Sequence, residues 1–237
     1  SSDADEDTDL LAALLKVKDE NSGEGIPDEL IKDESLTFLF AGHDTTSALL
    51  SWCMEALARN PMVVKKLREE IDSVLGDRKV VEFEDLKEFK YCDMVLKETL
   101  RMRPPVPVLD RAVKKDIKLG DNLYHGDTYI YPVFFAGHFD NRYWKNPFEF
   151  RPERFDPANK GVSEPVPHPY AFLPFSGGAR NCIGKRFSMI EATIAVVTII
   201  RQFDVSTDQS QDDIIWHFEG TMKPVNFLCS FTPRKDQ

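Results

Sequence analysis

The stretch Pro174-Phe175-Ser176-Gly177-Gly178-Ala179-Arg180-Asn181-Cys182-Ile183-Gly184 constrains this chain more than any other, together with the apolar, helix-like run that follows it over residues 187–203. Glycines so placed make a tight loop whose backbone can come close to something flat or bulky. Cys182 stands where that loop ends and the helix begins, a position at which amide dipoles favour the thiolate. A thiolate is a metal ligand. Arg180, two residues earlier, offers a fixed fork of donors to a carboxylate. The plainer reading of a lone cysteine is a small buried hydrophobe, and of loop glycines, turn residues.

A second unusual stretch lies far upstream. Pro27-Asp28-Glu29 places a proline and two acids where a helix starts, and the sequence stays helix-compatible to about Arg59. At its centre is Phe38-Leu39-Phe40-Ala41-Gly42-His43-Asp44-Thr45-Thr46-Ser47. Gly42 costs about 1 kcal/mol relative to alanine in a helix interior, and Asp44 and Thr45 interrupt an apolar run. In one reading Gly42 allows close helix packing while the hydroxyls bond back to the backbone. In the other, Gly and Thr open the helical ladder, and a carboxylate beside a hydroxyl relays protons there.

Pattern reading continues along the chain. Leu10, Leu11, Leu14 and Leu15 give a short amphipathic helix behind an acidic start, and residues 18–25 read as a linker. Pro61 opens a helix with Val63, Val64, Leu67, Ile71 and Val74 on one face, ended by Gly76-Asp77. A helix over residues 89–102 carries Glu98 and Arg101 at i and i+3, on one face. Such a pair is usually exposed and worth a few tenths of a kcal/mol. Residues 108–113, 117–119 and 128–135 read as strands, residues 140–175 as a proline-rich segment without periodicity, and residues 204–232 as a terminal hairpin.

Composition narrows the classes. The chain has 237 residues, 42% hydrophobic and 30% charged, which is ordinary globular composition. A net charge of −10 argues against a nucleic-acid partner. Cys53, Cys92, Cys182 and Cys229 show no CxxC spacing, so neither a zinc site nor a disulfide framework is expected. No run of about 18 apolar residues suggests a membrane-spanning segment.

The string Phe-x-x-Gly-x-Arg-x-Cys-x-Gly, met here at every fixed position from Phe175 through Gly178, Arg180 and Cys182 to Gly184, resembles the haem-binding signature of the cytochrome P-450 haem-thiolate monooxygenases. Ala-Gly-x-Asp-Thr-Thr at residues 41–46 resembles the oxygen-activation segment of the same family. The resemblance implies that Ala41 and Gly42 leave room over the haem, that Asp44 feeds protons, and that Thr45 is the alcohol beside bound dioxygen. Glu98-x-x-Arg101 resembles the family's core salt bridge. It demands a second arginine downstream, and Phe150-Arg151-Pro152-Glu153-Arg154-Phe155 supplies Arg154 for a Glu98–Arg101–Arg154 network that holds the cysteine loop in place. Arg111 matches the position from which the family sends an arginine to a haem propionate, and Arg180 is placed to do the same. His138-x-Asp140 and Trp144-x-x-Pro147 also sit where the family has such elements.

What this implies is a mainly α fold with small β-sheets, the C-terminal half of the cytochrome P-450 fold. Residues 1–26 would be an acidic start and linker, and 27–233 the recognisable family region of a single domain whose N-terminal half is absent. The implied cofactor is haem held by Cys182. The implied reaction inserts one oxygen atom from dioxygen into a lipophilic substrate, suggested by Phe38, Val106, Val108 and Leu109. Electrons would come from an NADPH-dependent reductase. The motifs have a microsomal style, which places the parent protein on the cytoplasmic face of the endoplasmic-reticulum membrane. Some fatty-acid ω-hydroxylases of the family have Glu where Ala41 stands, so the covalent haem ester of those enzymes is not expected. A reading from a different class remains beside this one: a truncated, non-catalytic haem-binding or structural remnant that lacks the distal half of the site.

Overall fold

A computed structural model of the chain describes residues 9–18, 20, 22–159 and 168–234. They belong to two compact units, Ser1–Asp44 and Thr45–Gln237. In the first unit the leucine pattern forms α1 (Leu10–Lys16), whose Asp9 side chain caps it by accepting from the Ala12 N–H at 2.7 Å. After it, Lys18 and Gly25 form an isolated antiparallel bridge.

Pro27 then leads into α2 (Asp28–Arg59), with Asp28 and Glu29 in its first turn and Arg59 in its last. The unit boundary falls within it. The opened ladder considered for residues 42–45 is not found, because α-helix is continuous through them. Three hydroxyls of this helix bond back without breaking it: Ser35, Thr37 and Ser51 donate to the carbonyls of Ile31, Asp33 and Ser47, four residues back.

In the second unit α3 (Pro61–Leu75) starts with proline in its first turn, and Gly76 ends it at φ +54°, a left-handed conformation that glycine adopts without strain. A 3-10 turn (Phe83–Lys87) leads to α4 (Lys90–Met102). The α4 N-terminus has no cap from its own Phe89. Instead Glu70 of α3 reaches across, and its carboxylate accepts from the backbone N–H groups of Tyr91 and Cys92 at 2.5 and 2.9 Å. A carboxylate there satisfies two orphan donors and faces the positive end of the helix dipole. Glu70→Ala should therefore lower the unfolding free energy by about 1–2 kcal/mol, read as a fall in the denaturant midpoint at unchanged slope. No change would mean that the contact has no net value.

Two nested strand pairs follow. β1 (Arg111–Ala112) pairs with β4 (Tyr129–Ile130), enclosing β2 (Ile117–Leu119) and β3 (Asn122–Tyr124), all antiparallel. The strand expected over residues 128–135 is cut to Tyr129–Ile130. Pro132 has no N–H to extend the ladder, and the chain turns into α5 (Phe134–His138). The strand expected over 108–113 is regular only at Arg111–Ala112, with an isolated bridge from Val108 to Val133. Short 3-10 turns (Pro152–Phe155 and Pro157–Asn159) punctuate the proline-rich segment, of which residues 160–167 lie outside the described set.

A further 3-10 turn (Gly178–Arg180) precedes α6 (Lys185–Gln202). The end of the chain pairs β5 (Phe203–Ser206) with β8 (Ser230–Pro233) around the hairpin of β6 (Trp216–Glu219) and β7 (Thr221–Pro224). The expected terminal hairpin is thus two nested antiparallel pairs. The core of this unit is helical: Cys53 and Leu57 of α2, Leu67 and Ile71 of α3, Val95 and Leu96 of α4, and Val196 and Ile200 of α6 are almost completely buried. The fold is mainly α with small β-sheets, as the sequence predicts.

Candidate functional site

The loop ahead of α6 brings together Phe175, Gly178, Arg180, Cys182 and Gly184. The Cys182 N–H donates to the Phe175 carbonyl at 3.0 Å, which draws residues 175–182 into a closed loop, and the Ser176 N–H donates to the Leu173 carbonyl at 3.1 Å. Gly178 sits at φ +78°, and Ser176 at φ +61° adopts the same left-handed region, rare for a residue with a Cβ. A Cβ on Gly184 would lie 3.8 Å from the Cys182 sulfur, in contact with it. The thiol itself is exposed. So are the apolar side chains of Ile183 and Phe187 beside it in sequence. The Lys185 ammonium lies 5.9 Å from the centre of the Phe175 ring.

The other cysteines are different. Cys53 and Cys92 are buried in the helical core, and burial pushes the Cys53 thiol up to about 12 and the Cys92 thiol well above its ordinary range. Both are held as neutral thiols. Among the described residues no three His, Cys, Asp or Glu side chains are grouped so as to hold a metal ion. An exposed thiol without partner ligands does not suit a bare ion such as zinc, which needs several protein donors. It suits a metal that arrives with its own equatorial ligands, as haem iron does. The donor set therefore fits haem.

The Glu98 network lies in the interior of the same unit. Glu98 Oε2 accepts from Arg101 Nε at 2.7 Å. Its Oε1 accepts from Arg101 Nη2 at 2.8 Å, Arg154 Nε at 2.9 Å and the Arg151 backbone N–H at 2.9 Å. All three charged side chains are 0% exposed. The arginines then grip backbone. Arg154 donates to the carbonyls of Lys145, Asn146 and Glu149, and Arg101 to those of His138 and Glu149. A buried carboxylate between two guanidinium groups, each with its remaining donors on carbonyls, leaves little unsatisfied.

The remaining predicted residues belong to other elements. Arg111 is an exposed residue of β1 whose Nη1 donates to the neighbouring Asp110 carbonyl at 2.8 Å. Ala41 and Asp44 belong to the first unit, and Thr45 is the first residue of the second.

Sequence reasoning matched His138 and Trp144 to family elements without assigning them a contact, and it did not single out Phe172. The buried His138 ring packs on Phe172 at 5.4 Å, and Phe172 packs on Phe155 and Trp144. The Trp144 indole N–H donates to the Gly137 carbonyl at 3.1 Å. The aromatic spacing Trp144–Phe155–Phe172 crosses the aperiodic segment, so no pattern announced it.

The family profile described as Cytochrome P450 matches residues 1–230. Curated relatives include Cytochrome P450 4V2 of Mus musculus, 42% identical over 218 residues, which is 92% of this chain and 41% of the relative. Cytochrome P450 4d2 of Drosophila melanogaster is 41% identical over 198 residues, covering 81% of this chain and 38% of the relative. A protein named bifunctional cytochrome P450/NADPH--P450 reductase, of Gibberella moniliformis, is 37% identical over 231 residues, 97% of this chain and 20% of its own length. The chain thus spans about two-fifths of the length of the P450 4V2 and 4d2 relatives.

Proposed function

Since the chain belongs to the cytochrome P450 family, we propose that it forms the haem-thiolate part of a monooxygenase that inserts one oxygen atom from dioxygen into a lipophilic substrate. The observation that carries this reading is the exposed Cys182 thiol in its closed glycine loop, without other metal-ligating groups gathered among the described residues. Haem, when bound, supplies dioxygen activation, and a thiolate ligand favours O–O cleavage. The chain's own residues have simpler tasks. Cys182 Sγ is the iron ligand. Gly178 and Gly184 keep side chains away from the haem face, and Phe175, whose carbonyl accepts from the Cys182 N–H, lines the cofactor side of the loop. Arg180 and Arg111 bind propionate carboxylates as charge-assisted hydrogen-bond donors. Ala41 leaves space, while the Asp44 carboxylate takes up protons and Thr45 Oγ1 passes them on. Glu98, Arg101 and Arg154 hold the architecture. Residues 27–233 act as the C-terminal part of one catalytic domain.

Electrons would come from an NADPH-dependent reductase. Charge supports a negatively charged donor. Although the whole chain carries −10, a groove of about 1050 Å³ that includes Cys182 is lined by Lys87, Lys90, Lys97, Lys185 and Arg186 against two acids, Glu84 and Asp93. The reductase in the printed name of the fungal relative fits the same reading. The full-length protein is proposed to sit on the cytoplasmic face of the endoplasmic-reticulum membrane. No helix among the described residues is long and apolar enough to cross a membrane.

Haem titration tests the reading. The chain should saturate at one haem, followed by Soret absorbance and tryptophan quenching, and Cys182→Ser should weaken binding by about tenfold or more, as loss of the metal ligand implies. Identical titrations of the two proteins would remove Cys182 from the site.

A further inference from the structure

We propose that His138 is the positioning residue that ties the Cys182 loop to the Glu98–Arg101 helix, an inference that rests on Cys182 being the haem ligand. The network around Glu98 holds backbone at residues 138, 145, 146, 149 and 151, and among the described residues none of its hydrogen bonds reaches the cysteine loop. Among the described residues, the one hydrogen bond that leaves the segment 168–182 for another element is from the Leu173 N–H to His138 Nε2, at 3.1 Å. Leu173 immediately precedes Pro174 and the loop.

The other ring nitrogen completes the link. Nε2 accepts an N–H, so it carries the lone pair, and the proton resides on Nδ1. Nδ1 lies 3.1 Å from the Arg101 carbonyl and donates to it. That carbonyl is among the last four of α4, which have no partner within the helix. Arg101 Nη1 returns a bond to the His138 carbonyl at 2.9 Å. One residue is thus clamped to α4 through both ring and backbone, and it holds the loop's approach by its remaining atom. Burial pulls the imidazole down to about 4, which keeps Nε2 an acceptor at neutral pH.

Two substitutions separate the ring's contacts. Glutamine extends its amide to about the reach of Nε2, whereas asparagine stops at about that of Nδ1. The measurement is amide exchange of the whole chain at neutral pH, for wild type, His138→Gln and His138→Asn. The Asn variant should exchange Leu173 and Cys182 about tenfold faster, the Gln variant should stay near wild type, and α4 and α6 should be alike in all three. Equal exchange in all three, or equal loosening by Asn and Gln, overturns the proposal. With haem bound, the thiolate-type absorption of the carbon monoxide complex should weaken in the Asn variant and return in the Gln variant. Lack of that absorption in the wild type would sink the haem reading alone, and the Leu173 exchange would still decide for or against His138.

Discussion

Glu98→Gln should lower the unfolding free energy by about 3–5 kcal/mol, the range for removing one member of a buried ion pair. The substitution keeps shape and removes charge. Arg101 and Arg154 would remain with their positive charges out of water and no carboxylate between them, since both side chains are 0% exposed. Oε1 alone serves three donors, and a glutamine amide presents at most one oxygen to the whole set. The loss is a large part of a typical domain's 5–15 kcal/mol, so a poorly soluble variant is the expected form of a strong result. Denaturant unfolding gives the number, and a loss under about 1 kcal/mol, the value of an exposed pair, would contradict the account. The effect should extend to the 138–151 segment, because the two arginines are what hold its carbonyls.

Acid should remove about 3 kcal/mol through His138. Its folded value of about 4 lies below the ordinary 6.5, mainly because burial disfavours the charged ring, with the Arg101 charge adding to that and the bond to the Arg101 backbone opposing it. The unfolded chain therefore takes up a proton at higher pH than the folded one. The stabilisation is complete above about pH 6.5 and falls away as pH drops toward 4. Denaturant unfolding near pH 7 and near pH 4.5 should show a larger loss for the wild type than for His138→Gln, which has no proton to gain. Equal losses would mean that the ring is already solvated in the folded chain.

The helical frame was legible because its signals are local. Pro61, the apolar series from Val63 to Ile71, and Gly76 mark α3 within a few residues of its ends. Glu98 and Arg101 are on one face by spacing alone, whereas their burial was not predictable from that spacing and came only with the demand for Arg154. The cysteine loop was legible as a string of fixed residue types, and its closure through Cys182 and Phe175 is the geometric form of that string. The strands were less so. Val108 and Val133 are bridged, yet Pro107 and Pro132 stop regular pairing beside them. Long-range contacts between a side chain and the backbone were hidden altogether. Glu70 meets Tyr91 across 21 residues, and His138 meets Arg101 and Leu173 across 37 and 35. In each case the decisive partner is a backbone atom, which leaves no trace in residue type.

The central claim is that Cys182 is a thiolate ligand to haem. The direct measurement is the absorption spectrum of the haem-loaded chain, reduced with dithionite under carbon monoxide, beside Cys182→Ala. A strongly red-shifted Soret band in the wild type, absent from the variant, is the result predicted here. A band typical of imidazole-ligated or free haem, the same in both proteins, would contradict it.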